Sequence, residues 1–162
     1  VVTQPGLVAA RGDLYRAELP ADRHGWLYRA AALARAGVPL AAGSDAPYGP
    51  VDPWRALQAA IDRRTASGAR LGEAEALAPE QALGLLLGPL DDPGGPSRRV
   101  AVGAAADLCL LDRPWAAARL GLAQVRVRAT FSDGIPIYDE SASISPQDNA
   151  VAADRRRPDS AI

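Results

Sequence analysis

The sequence predicts an α/β fold with parallel strands over residues 1–88, and three observations lead to this prediction. The stretch Val38–Ala42 is short and wholly apolar, as expected for a parallel strand that is covered on both faces. Two helix starts follow it, at Asp52-Pro53 and at Pro79-Glu80. An apolar segment also opens the chain, so the order is strand, helix, strand, helix, helix, which is typical of an α/β domain.

The first elements follow from local breakers and from helical spacing. Val1–Val8 is apolar but is interrupted by Pro5 and Gly6, which predicts a strand tip that turns into a loop, with residues 9–21 also in a loop. Residues 22–36 place apolar side chains at spacings of three and four, which predicts a helix. Gly37 then occupies the position of a C′ glycine.

The next elements begin at recognisable caps. Asp52 is a good N-cap with Pro53 at N1, and the helix it opens carries an apolar stripe of Trp54, Leu57 and Ile61. This helix is predicted to end at Gly68. A further helix is predicted from Pro79 to Gly88, where Ala78 occupies the N-cap without a side chain that can cap.

The character of the chain changes after the Pro/Gly-rich stretch GPLDDPGGPSRR, which predicts a boundary. A short strand is predicted at Asp107–Asp112, and residues 125–131 alternate apolar and polar as a half-buried strand does. Ser132–Gly134 predicts a hairpin turn, with residues 135–138 returning. We therefore expect one domain over residues 1–88, a second over 89–139, and a polar, disordered tail over 140–162.

Composition excludes several classes of function. The net charge of −1 gives no reason to expect nucleic acid or an acidic membrane as a partner, and no apolar run approaches the roughly 20 residues of a membrane span. The first residues do not resemble a signal peptide. The single Cys109 excludes an internal disulfide and a cysteine-based zinc site. Together these two observations lead us to expect a cytoplasmic location. All 18 basic residues are arginines, which indicates a coding bias. Because the chain starts at Val1 inside an apparent strand, we expect that this is not a natural domain start.

Five stretches of the chain between Thr3 and Tyr138 carry a family resemblance. In order they are TQPG, LYRAAALARAGVPLAAGSDAPYGPVDPWRALQAAIDRRTASG, LAPEQALGLLLG, VAVGAAADLCLLD and VRATFSDGIPIY. Together they resemble the C-terminal part of the amidohydrolase superfamily, in particular its amidohydrolase family 3 branch. The resemblance implies the last two strands of a (β/α)8 barrel of the TIM type, followed by part of a small β-sandwich. It also implies a hydrolase that cleaves the C–N bond of a small amide-type substrate with a metal-activated water.

The resemblance implies a specific role for Asp45. In this family the Asp that ends barrel strand eight lies beside the metal and handles the proton of the attacking water. Active sites of such barrels lie at the carboxyl ends of the strands, so we predict Asp45 at the tip of a short parallel strand, next to the strand of Val1–Thr3. The alternative is that Asp45 merely caps the turn before Ala46-Pro47, since Asp is common in turns.

The other residues that the family uses for its divalent metal, with zinc the expected ion, have no counterpart here. The only histidine, His24, matches none of the family's ligand positions, and a catalytic zinc needs about three protein ligands. Gln4, at a strand tip, is the candidate substrate-binding residue, with an ordinary polar strand end as the alternative.

Other residues are given structural interpretations. Arg63 and Arg64 are expected on a solvated helix face, Trp26 and Trp54 are expected as core anchors, and Cys109 is expected to be buried and inert.

The leading hypothesis is thus a C-terminal fragment of a metal-dependent amidohydrolase, inactive by itself and binding no metal alone. The competing hypothesis is a non-catalytic relic or an interaction module without a metal site.

Overall fold

The computed structural model describes residues 1–141, which form two compact units. The first unit is Val1–Arg99 together with Pro114–Val125, and the second is Val100–Arg113 together with the chain from Arg126 onward. The mixture of helices and strands is that of an α/β protein, as predicted. The predicted tail 140–162 lies outside the described residues except for Glu140 and Ser141.

The first unit contains two strands, five α-helices and three short 3₁₀ helices. In chain order the strands and helices are β1 (Val2–Thr3), α1 (Gly6–Glu18), α2 (Ala30–Arg35), β2 (Ala41–Ala42), α3 (Pro53–Asp62), α4 (Pro79–Gly84) and α5 (Trp115–Ala118). The 3₁₀ helices are Ala21–Trp26, Glu73–Glu75 and Leu122–Gln124.

Strands β1 and β2 pair in parallel, with Val2 opposite Ala41 and Thr3 opposite Ala42. The parallel pairing is as predicted, but β2 covers only the last two residues of the predicted strand Val38–Ala42. On its other side, the Ala42 N–H donates to the Leu85 carbonyl oxygen at 2.8 Å. The turn after α4 therefore occupies the position at Ala42 that a further strand would take.

The prediction of a loop over residues 9–21 is wrong, because α1 fills most of this segment. The helix was concealed by Gly6 and Gly12, which act as breakers in most sequences but serve here for close packing. A Cβ at Gly6 would lie 2.7 Å from Cγ of Pro50, and one at Gly12 would lie 2.5 Å from Cγ2 of Thr65. These contacts bring α1 against the chain on either side of α3, with Leu7 and Val8 buried.

The helix predicted over residues 22–36 is split into the 3₁₀ helix Ala21–Trp26 and the short α2. Gly37 has φ +72° and ends α2 as predicted. Its N–H donates to the Ala34 carbonyl, and the Val38 N–H donates to that of Leu33, which together form a Schellman motif. The prediction that Trp26 is a core anchor is wrong, since its side chain is 65% exposed and lies against the Arg29 guanidinium, 4.7 Å from the ring centre.

Helix α3 begins as predicted, with the Asp52 carboxylate accepting a hydrogen bond from the Trp54 N–H at 2.9 Å. It ends at Asp62 rather than at Gly68, because Arg63 adopts the left-handed conformation with φ +53°. Of the predicted apolar stripe, Leu57 is fully buried, whereas Trp54 and Ile61 are half-buried.

Helix α4 begins at Pro79 as predicted but ends at Gly84. Its N-cap, Ala78, has no capping side chain, although the Gln81 side chain accepts a hydrogen bond from the Ala78 N–H at 3.0 Å. Helix α5 is held to α4 by an ion pair of 2.7 Å between Arg119 and Glu80.

The core of the first unit lies where α1, α3 and the segments after α3 meet. Its apolar side chains are small, mostly alanine and leucine, and those with 2% exposure or less are Val8, Leu57, Ala60, Leu71, Ala82, Ala118 and Leu122. Such a core follows from a chain that has only one phenylalanine and no methionine.

The second unit is an antiparallel sheet of β3 (Leu108–Leu111), β4 (Val127–Ser132) and β5 (Ile135–Asp139), in that order. The predicted hairpin and its pairing with the 107–112 strand are confirmed. Positive φ at both Asp133 and Gly134 makes the connection a type I′ turn. Cys109 was expected to be buried but is exposed on β3.

Within residues 1–141, none of the helices has both the length and the apolar character that crossing a membrane requires.

Candidate active site at the carboxyl ends of the parallel strands

Asp45 lies just beyond the end of β2, on the side where β1 also ends. The Gly43 N–H donates to the Thr3 carbonyl at 2.9 Å, so the two strands leave the sheet together. Gln4 follows β1 directly, and its carbonyl accepts a hydrogen bond from the Leu7 N–H at the start of α1. The sequence prediction of where Asp45 lies is therefore correct, and the Gln4 side chain is half-buried at the same edge.

A tight turn presents Asp45 to solvent. Its backbone has φ +53°, and its carbonyl accepts hydrogen bonds from the Tyr48 and Gly49 N–H groups at 2.8 and 3.1 Å. Only glycine fits at position 49, because a Cβ there would lie 1.9 Å from the Ser44 carbonyl oxygen. The hydroxyl of Ser44 accepts from the Ala46 N–H at 3.3 Å, so Ser44 supplies the side-chain cap that the alternative interpretation assigned to Asp45.

A tyrosine pair lies close to this turn. The hydroxyl oxygens of Tyr15 and Tyr28 are 3.0 Å apart, and their ring centres are 6.2 Å apart. The pKa of the Tyr28 phenol is raised well above its usual range, first by burial, then by the hydrogen bond and charge of Tyr15, and then by the charge of Asp45. Tyr28 is therefore a neutral hydrogen-bonding group.

Helix α1 connects the tyrosine pair to the Asp45 turn. The guanidinium of Arg11 lies 5.7 Å from the centre of the Tyr48 ring, and Tyr48 is part of the turn. Tyr15, which contacts Tyr28, is four residues further along the same helix. Side chains four apart on a helix are neighbours on one face, so Tyr28 and the Asp45 turn lie along the same face of α1.

Arg63 holds the backbone of Tyr28. Its side chain is 1% exposed, and its guanidinium donates to three carbonyl oxygens, those of Leu27 at 2.8 Å, Leu71 at 2.9 Å and Tyr28 at 3.2 Å. Burial lowers the pKa of Arg63, an effect that the negative charge of Glu75 opposes. The prediction that Arg63 lies on a solvated helix face is wrong, although its neighbour Arg64 is exposed as expected.

Glu75 contacts the chain just after Tyr28, at Arg29 and Ala32. It is 5% exposed, accepts a hydrogen bond from the Ala32 N–H at 2.8 Å, and lies 3.6 Å from the Arg29 guanidinium. Positive and negative side chains thus alternate through Arg29, Glu75 and Arg63. Buried charges need such compensation: Glu75 has the Ala32 N–H and Arg29 as partners, and Arg63 has three carbonyl oxygens.

The described residues do not by themselves form a metal site. Within residues 1–141 there is no group of three His, Cys, Asp or Glu side chains that could hold a metal ion. Nε2 of His24 lies 3.0 Å from the Leu19 carbonyl oxygen, and since a carbonyl can only accept, this nitrogen carries a proton. The metal that the resemblance implies therefore does not fit residues 1–141 alone, and within this range Asp45 is one carboxylate outside any group of three possible ligands.

A cleft of about 410 Å³ lies at the opposite end of β2 from Asp45. Its wall is mostly backbone and apolar side chains, including Val38, Pro39, Leu77, Leu85 and Gly94. It is separate from the carboxyl-end cluster and does not contribute to the candidate active site.

The sequence patterns did not predict Tyr15, Tyr28 or Glu75 as site residues. The contacts of Arg63 with Leu27 and Tyr28 join residues 36 and 35 positions apart and are made to backbone atoms. No local spacing indicates such a contact. The one available signal was Tyr28 within the helix predicted over residues 22–36, and a tyrosine in a helix is by itself unspecific.

Comparison of the chain with known proteins identifies its family. The model of the amidohydrolase family matches residues 3–138, and the chain belongs to that family. The chain is also similar to the N-substituted formamide deformylase of Arthrobacter pascens, with 29% identity over 148 residues, or 88% of the chain. It spans only 27% of the length of this curated relative. No solved structure matches the chain.

Proposed function

We propose that this chain is the C-terminal portion of an amidohydrolase that hydrolyses a C–N bond of a small, non-peptide amide. The observation that carries the proposal is the position of Asp45 beyond the carboxyl end of a parallel strand, in a chain matched to the amidohydrolase family over residues 3–138. The proposed barrel and β-sandwich would be completed by chain outside residues 1–141. The relative named above acts on N-substituted formamides, so N-formyl amides are the first substrates to test.

In the proposed reaction, water adds to the amide carbon and the amine leaves, giving a carboxylic acid. Asp45 is suited to accept a proton from this water, because its carboxylate is exposed at the strand end. Gln4, at the same edge, is proposed to contact the substrate. The metal implied by the family would need ligands beyond the described residues, and the proposal assigns Asp45 as the ligand that this chain contributes.

The competing proposal is a relic or interaction module without catalysis. One observation favours it: the Leu85 carbonyl already satisfies the Ala42 N–H on the side of β2 where a neighbouring barrel strand would pair. In a complete barrel this turn would have to yield that position. The DNA upstream of codon 1 decides between the two proposals. An in-frame His-x-His some hundreds of residues earlier supports the enzyme, and unrelated sequence or a stop codon supports the relic.

Where a longer reading frame exists, the assay is hydrolysis of N-formyl amides by the full-length protein, with Asp45→Asn as the test variant. The exposed Asp91→Asn serves as its matched control. We expect Asp45→Asn to lower kcat by at least about 100-fold, the usual contribution of acid–base catalysis, and Asp91→Asn to leave kcat unchanged. Equal activity of the two variants would exclude Asp45 from the chemistry.

The isolated 162-residue chain is expected to show no hydrolase activity and no tight zinc binding. One carboxylate is a weak ligand, since a catalytic zinc takes about three protein ligands. Calorimetric titration with zinc, followed by the same amide assay, tests this expectation. Stoichiometric zinc binding that is lost in Asp45→Ala would show that a complete site is present and that the fragment proposal is wrong.

A further inference from the structure

Tyr48 exposes a large aromatic side chain at the candidate active site. Among the described residues of the first unit, only Tyr48 and Trp26 expose most of an aromatic side chain, at 66% and 65%. A ring as exposed as that of Tyr48 contributes little burial to the fold. The turn uses the Tyr48 N–H, which every residue except proline carries. The fold therefore gives no reason for an aromatic residue at position 48.

The backbone holds Tyr48 close to Asp45. The Tyr48 N–H donates to the Asp45 carbonyl at 2.8 Å, and a bond of this kind between residues three apart closes a β-turn. The Cα atoms of the first and last residues of such a turn are less than about 7 Å apart. Both side chains are exposed. A small molecule at the Asp45 carboxylate is therefore within reach of the Tyr48 ring.

Helix α1 covers one face of this ring and leaves the other open. The Arg11 guanidinium lies over the ring, 5.7 Å from its centre. Leu7, one turn earlier on α1, lies against Gly49, since a Cβ added there would be 3.4 Å from Cδ2 of Leu7. Residues four apart share a helix face, so the turn contacts one face of α1 through both residues. Because the Tyr48 side chain is still 66% exposed, its second face is open to a planar group.

We propose that Tyr48 is a specificity-determining residue, whose open ring face stacks against a planar aromatic substituent on the nitrogen of the amide. This inference rests on the proposed function and names N-aryl amides as its substrate class. N-substituted formamides, on which the curated relative acts, differ from one another in this substituent. Two aromatic rings attract each other beyond the area that they bury, whereas a saturated ring of the same size gains from burial alone.

The direct test is titration of the 162-residue chain with N-phenylformamide and with N-cyclohexylformamide, followed by NMR of ¹³C-labelled tyrosine rings. The two amides are similar in size, but only the phenyl ring is planar and aromatic. The chain has four tyrosines, and Tyr48→Phe assigns the Tyr48 signal. We expect N-phenylformamide to bind about fivefold more tightly, the contribution of one aromatic pair, and to shift the Tyr48 signal to saturation. Equal affinities, or no binding of N-phenylformamide, overturn the inference.

The source of the preference is tested in the same titration with Tyr48→Leu, which keeps an apolar side chain but removes the aromatic ring. Because Tyr48 is exposed, we expect this variant to retain the folded spectrum and to bind the two amides equally. Tyr138→Leu is the matched control, since it removes an exposed ring from the sheet of the second unit. It should keep the fivefold preference of the unmodified chain. A preference that survives in folded Tyr48→Leu, or that is lost equally in Tyr138→Leu, excludes stacking on Tyr48.

Failure of this inference and failure of the proposed function give different results. If the full-length protein hydrolyses both formamides and Tyr48→Leu leaves the ratio of their kcat/KM values unchanged, the function stands and the Tyr48 inference is wrong. If the chain prefers N-phenylformamide through Tyr48 but the full-length protein hydrolyses neither amide, the stacking role stands and the hydrolase proposal is wrong.

Discussion

Arg63 donates hydrogen bonds from its two terminal nitrogens to the consecutive carbonyl oxygens of Leu27 and Tyr28, at 2.8 and 3.2 Å. The end of α3 is thereby joined to the segment between the two parallel strands. Arg63 is only 1% exposed, so these bonds are made by a buried side chain. The first prediction follows from this arrangement.

Arg63→Gln should lower the free energy of unfolding by about 3 kcal/mol, because three carbonyl oxygens lose the donor that the buried Arg63 side chain supplies. Urea denaturation of the variant and the parent measures the difference. Arg64→Gln, one position along and exposed, should change the same quantity by less than about 0.5 kcal/mol. Equal effects at the two positions would contradict the assignment of Arg63 as a buried anchor.

Gly12→Ala should destabilise the chain, although alanine is ordinarily the better helix former by about 1 kcal/mol. The added Cβ would meet Cγ2 of Thr65 at 2.5 Å, and Thr65 is both buried and stiff about χ1. We expect a net loss of about 1 to 2 kcal/mol in thermal or urea unfolding.

The double variant Gly12→Ala/Thr65→Ser isolates the cause, since serine lacks the methyl group that clashes. It should recover most of the loss, and the coupling between the two sites is then read from the double-mutant cycle. Gly25→Ala is the control, because no atom lies within 4 Å of its added Cβ. Additive effects of the two substitutions would show that the α1 contact at Thr65 does not set the packing.

Ala78→Thr should stabilise α4 by about 1 kcal/mol, because it supplies the missing N-cap acceptor. The backbone at Ala78, with φ −66° and ψ 152°, is already that of an N-cap. The gain is measured as a shift of the urea midpoint with unchanged slope. Ala66→Thr, at an exposed turn position, should give no such gain.

The Asp112 carboxylate should make stability depend on pH in the acid range. The hydrogen bond from Arg113 is the main cause that lowers its pKa from 3.8 to about 2, with smaller contributions from Arg126. A lowered pKa in the folded state means that this carboxylate stabilises the fold above about pH 4. That contribution is lost as the pH falls from about 4 to 2.

Denaturation midpoints for the unmodified chain and Asp112→Asn, measured from pH 6 to 2, test this prediction. The difference between the two proteins should be constant near neutrality and shrink between pH 4 and 2. A constant difference down to pH 2 would contradict a role for ionised Asp112.

The elements that the sequence predicted are those set by local chemistry. The Asp52 cap, the Gly37 C′ position and the Asp133-Gly134 turn each depend on residues within five positions, and each is present in the structure. Helix α1 was missed because its two glycines are explained only by Pro50 and Thr65, which lie far along the chain. A glycine that looks like a helix breaker in the sequence can instead be the residue that allows two distant segments to pack closely.

In the candidate site, too, the feature set by local sequence was predicted and the features set by long-range contacts were not. The position of Asp45 was predictable, because an apolar run ending on Gly-Ser-Asp is a local pattern that places the acid at a strand end. Tyr28 and Arg63 were not, because the contacts of Arg63 are with main-chain oxygens that every residue type carries. Arg63 was even assigned to a solvated helix face, since the predicted helix ran on to Gly68 and arginine is mostly exposed.

The bonds of Arg63 to main-chain oxygens also have an evolutionary consequence. A side chain paired with another side chain leaves a correlated trace, since a change in one favours a change in the other. Carbonyl acceptors at residues 27 and 71 persist whatever side chain stands there. Relatives are therefore expected to retain arginine at this position while residues 27 and 71 drift independently, so that covariation would give no sign of the contact that holds Tyr28.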